Sequence, residues 1–272
     1  MQSFPASPRE MAASFWRNRQ LIRNLVQREV LGRYKGSMLG IFWSLATPIF
    51  MLAVYTFVFS VVFKARWGGG SDSKTEFALL LFAGLIIFNL FSECISRAPG
   101  LILANVNYVK KVVFPLEVLP WVSMGSALFH FAVSLGVWLV AYLVLFGVPH
   151  WHVVLLPLVV VPLVLFVMGL SWALASLGVY LRDVGQIIGL VITVLMFLSP
   201  IFYPASSLPP EYQPIMFFNP LTPPIEMARD LLYWGQMPNM TLLALYAAGS
   251  LAFALLGFAW FQKTRKGFAD VL

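Results

Sequence analysis

VVLLPLVVVPLVLFVMGLSWALASLGV, residues 153–179, runs for 27 residues without an Asp, Glu, Lys or Arg. At the ~1.5 Å rise per residue of an α-helix, that is long enough to cross the ~30 Å hydrocarbon core of a bilayer. It lacks the period-2 alternation of a barrel strand, so it reads as a spanning helix. The rest of the chain has the same character: 60% of its 272 residues are hydrophobic and only 11% are charged, with a mean hydropathy of +0.84. Soluble domains carry roughly 25% charged residues. The expected fold is therefore all-α, a polytopic membrane protein.

Five more apolar runs stand beside the first, giving six expected spans at about 39–63, 77–96, 121–146, 153–179, 185–203 and 241–261. The fifth is the shortest and ends among Pro200 and Pro204. Residues 1–38 are polar and basic with no apolar core of a cleavable signal, residues 204–240 form a long segment before the last span, and 262–272 form a tail. The whole reads as one transmembrane domain. Its formal charge of +7 is assigned to orientation rather than to nucleic acid, because Lys and Arg collect on the cytoplasmic side. With the N-terminus inside, the inner segments carry seven (1–38), three (97–120), one (180–184) and three (262–272) basic residues, fourteen in all; the outer loops 64–76 and 204–240 carry four. Both termini are expected in the cytoplasm.

The stretch WGGGSDSKT, residues 67–75, approaches a P-loop: Gly68, Lys74 and Thr75 hold their places, but Ser73 replaces the second glycine. No strand precedes it and the topology puts it outside, so it reads as a plain loop. The chain is expected to carry no nucleotide site or other cofactor of its own.

Four segments do not span. Residues 14–34 place Phe15, Ile22, Val26 and Val30 on one helical face with Arg17, Arg19, Arg23 and Arg28 between them, as in a basic amphipathic helix lying in the membrane interface. Residues 97–120 form an inner loop too apolar for a linker, which needs a covering surface. The link 180–184 is very short. Residues 200–238 hold nine of the eighteen prolines along with many aromatic residues, a pattern of short broken helices re-entering the bilayer.

Chemistry-bearing residues are sparse. Glu93 and Arg97 stand four apart at the end of the second span and read as a boundary ion pair anchoring that helix. His130 reads as a packing residue. His150 and His152 lack a third ligand for a metal, and the single Cys94 excludes an internal disulfide. Asn239-Met240-Thr241 fits a glycosylation sequon but abuts the last span. No catalytic set is visible. Trp43, Phe50 and Phe57 recur every seven residues and stay near one helical face, either packing or suited to the C–H faces of sugar rings.

The run Arg33-Tyr34-Lys35-Gly36-Ser37-Met38-Leu39-Gly40-Ile41-Phe42-Trp43, followed by Pro48, resembles the opening of type-2 ABC permeases that export bacterial polysaccharides. Tyr180-Leu181-Arg182-Asp183, Ser199-Pro200-Ile201-Phe202-Tyr203-Pro204 and Asn219-Pro220 followed by Arg229 are similar to that family's later motifs, in the same order. The likeness runs from about residue 15 over nearly the whole chain and is shared by O-antigen and teichoic-acid exporters. It implies a homodimer in the bacterial cytoplasmic (inner) membrane, with two copies of a separate ATPase subunit that carry ATP and Mg. It also implies an interface helix at 14–34, a coupling helix within 97–120, and re-entrant helices in 204–240.

On this resemblance the substrate is an undecaprenyl-linked polysaccharide. Trp43, Phe50 and Phe57 are expected to line its channel, and Arg23, Arg28 and Arg33 to meet the lipid pyrophosphate at the interface. Asn105, Tyr108, Val112 and Phe114 are expected to couple to the ATPase, and Phe202, Tyr203, Asn219 and Arg229 to form the extracytoplasmic gate. A permease for drugs or small lipids is the near alternative. A membrane-embedded glycosyltransferase is the distant one, with Asp183 its only candidate cytoplasmic carboxylate.

The orientation is directly testable. A cysteine placed at Ser71, in a Cys94→Ser background, should react with a membrane-impermeant maleimide in intact cells. Labelling seen only after lysis would reject the assigned topology.

Overall fold

The computed structural model describes residues 5–62, 67, 74–110 and 114–272. The glycine-rich loop 68–73 and Val112 lie outside the described residues. All regular structure among the described residues is helical.

The N-terminal segment starts earlier than the amphipathic pattern predicts, and it is jointed. Pro8 opens helix α1 (Pro8–Arg17), and the Ser7 hydroxyl accepts from the Glu10 N–H at 3.2 Å, a serine N-cap with proline in the first turn. Asn18 then leaves helical geometry and its amide donates to the Ser14 carbonyl at 2.8 Å; such local side-chain bonds compete with helix continuation. Helix α2 (Arg19–Tyr34) follows. Its apolar face packs against protein: Ile22 clusters with Val118 and Val122, Phe15 of α1 lies 4.6 Å from Trp121, and Val26 presses on Gly125. The face expected to lie in the membrane interface is thus covered by the chain itself.

Gly36 (φ 88°) and Gly40 (φ 52°) turn the chain in left-handed conformations that favour glycine. A 3-10 turn (Gly40–Phe42) leads into α3 (Trp43–Tyr55), which continues as a π-helical stretch (Thr56–Val62). Helix α4 (Lys74–Arg97) is the centre of the bundle. The turn that follows holds two 3-10 segments and the short α5 (Val106–Lys110). Helices α6 (Val118–Phe146), α7 (Leu156–Tyr180) and α8 (Val184–Leu198) come next. The proline-rich segment forms α9 (Gln213–Phe218), α10 (Thr222–Arg229) and a π turn (Asp230–Trp234). Helix α11 (Met240–Thr264) and α12 (Phe268–Val271) close the chain.

Five helical stretches are long and apolar enough to span: Gly40–Phe59, Thr75–Gly100, Val118–Phe146, Trp151–Tyr180 and Met240–Val271. The expected fifth span is shorter than its apolar run. Helix α8 stops at Leu198, because Ser199 turns extended ahead of Pro200. Its 15 residues reach about 22 Å at 1.5 Å each.

Packing is uneven. Helix α4 is covered by α6, α7, α8, α10 and the π-helical stretch after α3. Helices α7 and α11 cross closely because Gly169 and Gly257 meet there; a Cβ on Gly169 would sit 2.6 Å from the Phe253 carbonyl oxygen, the small-residue contact common in membrane helices. By contrast, only Pro48 of α3 and no residue of α8 is buried.

Arg229 holds the proline-rich segment to this core. Its guanidinium donates to the carbonyls of Leu80 (2.9 Å), Pro200 and Ile201 (2.8 Å), and lies 4.3 Å from the Trp67 ring centroid. Gly84 leaves the room: a Cβ there would be 2.7 Å from Arg229 Nη2. Arg229→Met keeps the bulk and removes every donor, and a buried carbonyl left without a partner costs about 1–3 kcal/mol, which applies to Pro200 and Ile201 rather than to the helical Leu80. The variant should melt earlier and become protease-sensitive between residues 204 and 234, with Gly84→Ala showing a weaker form of the defect. Unchanged melting and digestion in Arg229→Met would refute the clamp.

Candidate functional site

A cleft of about 620 Å³ opens between the end of α2 and helices α3, α4 and α6, opposite Ile192 of α8. Most of the bundle is apolar, yet Arg33, Tyr34, Glu93, Arg97 and His130 all line this space, together with Ser44, Thr47, Asn89, Ser92 and Ser96.

Two i,i+4 pairs build it. Glu29 and Arg33 stand on α2; Glu93 and Arg97 stand on α4. The expected pair within α4, Glu93 with Arg97, gives way to pairs across the helices. Arg33 Nη1 donates to Glu93 Oε1 at 2.6 Å, and Arg97 pairs with Glu29. The partners run in opposite order along the two helices, so α2 and α4 meet antiparallel. Each guanidinium finds its carboxylate on the neighbouring helix, and the two contacts reinforce one register.

His130 is a member of this network rather than a packing residue. Its Nδ1 lies 3.0 Å from both oxygens of Glu93, and its Nε2 lies 3.1 Å from the Tyr34 hydroxyl. An Nδ1–H tautomer satisfies the set: Nδ1–H donates to Glu93, and the Tyr34 hydroxyl donates to Nε2. The Arg33 Nη1 contact with Nδ1 at 3.1 Å is then a close approach imposed by their shared carboxylate.

A second cleft of about 470 Å³ lies beside it, lined by Leu25, Arg28, Glu29, Arg97, Asn105 and Tyr108 among others. Here two expected groups converge. Arg28, assigned to the lipid pyrophosphate, donates to the hydroxyl of Tyr108, assigned to coupling, at 3.2 Å. Tyr108 stacks on Phe114 with centroids 4.3 Å apart, and the Asn105 amide donates back to the Leu101 carbonyl at 2.8 Å. Arg23 is simply exposed. The apolar excess of residues 97–120 is partly spent inside the molecule, since Ala98, Leu101, Ile102 and Leu116 belong to the main core.

Glu117 ties the surroundings of that turn together. Its carboxylate accepts from the Ser14 hydroxyl of α1 at 2.9 Å and from Arg265 at 2.5 Å, and its carbonyl accepts from Trp172 Nε1 at 3.1 Å. Arg265 also donates to the Phe114 carbonyl at 2.7 Å, and Lys110 donates to the Leu272 carbonyl. Glu29, Glu117 and Arg265 had no assigned role in the sequence, and His130 was assigned only to packing. Only the matched spacing of Glu29/Arg33 and Glu93/Arg97 hinted at the first of them.

The remaining expected residues fall elsewhere. Trp43, Phe50 and Phe57 are 46%, 67% and 59% exposed on α3 and its π-helical continuation. Phe42, which lies outside the stripe, is 57% exposed, so exposure does not single out the stripe. Phe202 stacks between Phe59 and Phe197, and the Tyr203 hydroxyl donates to the Phe197 carbonyl at 3.0 Å. Asn219 is buried; its amide donates to Ser199 Oγ at 2.9 Å and its carbonyl oxygen accepts from the Leu221 N–H at 3.0 Å. Arg229 is buried in the clamp described above. These four brace the proline-rich segment. No group of three or more His, Cys, Asp or Glu residues suited to a metal occurs among the described residues.

Comparison with known proteins bears on this arrangement. The chain is 29% identical over 262 residues to the O-antigen export system permease protein RfbA of Myxococcus xanthus, covering 96% of this chain and 98% of that protein. It is 28% identical to the O-antigen export system permease protein RfbA of Klebsiella pneumoniae (91% and 93% covered). It is 23% identical to the polysialic acid transport protein KpsM of Escherichia coli (89% and 92%). The model of the ABC-2 type transporter family matches residues 20–233, which take in both clefts and the Arg229 clamp. Such a match spans well over half of the molecule, and this protein belongs to the ABC-2 type transporter family.

Proposed function

We propose that this chain is the membrane subunit of an ATP-driven exporter that moves a lipid-linked polysaccharide out of the bacterial cytoplasm. The observation that carries the proposal is the end-to-end similarity to permeases named for O-antigen export. Two structural features support it. Helices α3 and α8 are left almost bare by a single copy, and apolar faces of this extent call for a partner or lipid. A second copy of the chain laid against them would enclose a channel walled partly by Trp43, Phe50 and Phe57. With α8 as a short sixth span, the fourteen inner and four outer basic residues favour both termini in the cytoplasm. The proline-rich segment would then face outward as re-entrant helices.

In this reading ATP and Mg are bound by a separate ATPase subunit, present in two copies, which docks on the turn around α5. Its closure would push Tyr108 and Phe114, and through Arg28 and the Glu117–Arg265 pair it would move α2 and the base of α11. The chain itself catalyses no reaction.

Deletion of the gene should cause undecaprenyl-linked glycan to accumulate inside the cell, and expression of the chain should restore export. Alanine at Trp43, Phe50 or Phe57 should slow polymer flux several-fold per site, since each ring contact is worth about 1 kcal/mol. Melting temperature and ATPase association should be retained, and Trp260→Ala, a ring exposed on α11, should export normally. Absence of glycan accumulation would reject the polysaccharide in favour of a drug or small lipid. A flux defect that tracks early melting would make the rings packing residues.

A further inference from the structure

The two cations of the larger cleft are both occupied by carboxylates of the same chain. Arg33 is held by Glu93 and Arg97 by Glu29, while both guanidinium groups line open space of about 620 Å³. The arginines are 50% and 35% exposed, and ion pairs this open add little stability. Two reciprocal pairs facing a cleft therefore ask for a use beyond holding α2 to α4.

Their arrangement suggests one. Glu29 and Arg33 are one turn apart on α2, as are Glu93 and Arg97 on α4, so the two ion pairs lie on adjacent turns and both arginines line the same cleft. Two linked phosphates offer one anionic group to each arginine, and guanidinium forks bind phosphate oxygens as they bind carboxylates. The Arg33 side chain is 50% exposed, so it can turn toward a ligand without backbone movement. His130 makes the exchange possible. It bonds both oxygens of Glu93 at 3.0 Å, with Tyr34 fixing its other nitrogen at 3.1 Å. Glu93 therefore keeps a partner when Arg33 leaves, whereas Glu29, whose side chain is 27% exposed, must turn to water when Arg97 leaves.

We propose that this cleft is a diphosphate site occupied in the resting molecule by its own carboxylates. An incoming diphosphate-linked headgroup displaces Glu93 from Arg33 and Glu29 from Arg97, and the exchange frees α2 from α4. Glu29 and Arg97 also line the second cleft with Arg28 and Tyr108, so loosening α2 reaches the α5 turn directly. The inference rests on the lipid-linked substrate proposed above and adds a regulation to it: headgroup and carboxylates compete for the same two arginines.

The test uses the full-length protein in lipid nanodiscs and three probes: farnesyl diphosphate, farnesol and inorganic pyrophosphate. Farnesyl diphosphate should bind, and farnesol at least tenfold more weakly. Glu93→Gln and Glu29→Gln should each bind farnesyl diphosphate about tenfold more tightly, a change in Kd well resolved by titration, and Arg33→Gln about tenfold more weakly. If Glu93→Gln melts early, Glu29→Gln, whose wild-type side chain is 27% exposed, decides. A Gln variant of normal melting temperature that binds no more tightly overturns the competition, as does equal binding of farnesol. Inorganic pyrophosphate bound as tightly as farnesyl diphosphate overturns the lipid headgroup as the source. Glycan export is read separately in the complemented deletion strain. Normal export without tightening removes this inference and leaves the exporter standing; tightening without glycan accumulation on deletion does the reverse.

Discussion

Helix α4 is the most enclosed of the spanning stretches, and the rest of the bundle is arranged around it. Of its most apolar 18-residue window, 83% is buried, against 6% for the stretch containing α3. Close packing of apolar side chains does most of this, but two polar contacts fix the position. Trp138 Nε1 donates to the Leu79 carbonyl at 2.9 Å and Arg229 Nε to the Leu80 carbonyl at 2.9 Å. Both take a second bond from carbonyls of a helix, where such oxygens have a spare lone pair. A buried donor with no partner would be expensive, so α6 and the α10 segment are held at one register on α4.

The other end of α4 is fixed by charge. Arg97 and Glu93 reach back to α2, and through Arg28 and Tyr108 that helix touches the turn around α5. Glu117 and Arg265 join the same turn to α1, α7 and the base of α11. A push on the turn thus meets a connected set of polar contacts rather than a loose loop. These are few and individually modest, but in a setting with little water each orphaned partner is costly, which makes the set behave as a unit.

Helices α3 and α8 escape this scheme. They cover part of α4 but bury almost nothing of their own. Apolar faces left this bare need lipid or a partner to cover them. The large cleft opens between α3 and α4, with Ile192 of α8 on its wall, so the polar site lies beside that bare face.

The sequence by itself determined the fold class, the approximate helical runs and the special character of three segments: the basic N-terminal stretch, the apolar inner turn and the proline-rich run. Those follow from hydrophobic length, helical periodicity and backbone chemistry, which are local properties. It also marked Arg229 and Asn219, and only the packed chain shows the carbonyls and the Ser199 hydroxyl that they hold. What it left undecided were the partners. Glu93 and Arg97 look complete as a pair four residues apart, and only the approach of α2 shows that each prefers a neighbour on another helix. His130 looks like packing until Glu93 and Tyr34 arrive from 37 and 96 residues away. The amphipathic face of α2 looks membrane-bound until α6 covers it. Periodicity reports which face of a helix is apolar, and i,i+4 spacing reports which charges can meet within it. Neither carries information on what lies across the gap, and that is decided only when the chain is packed.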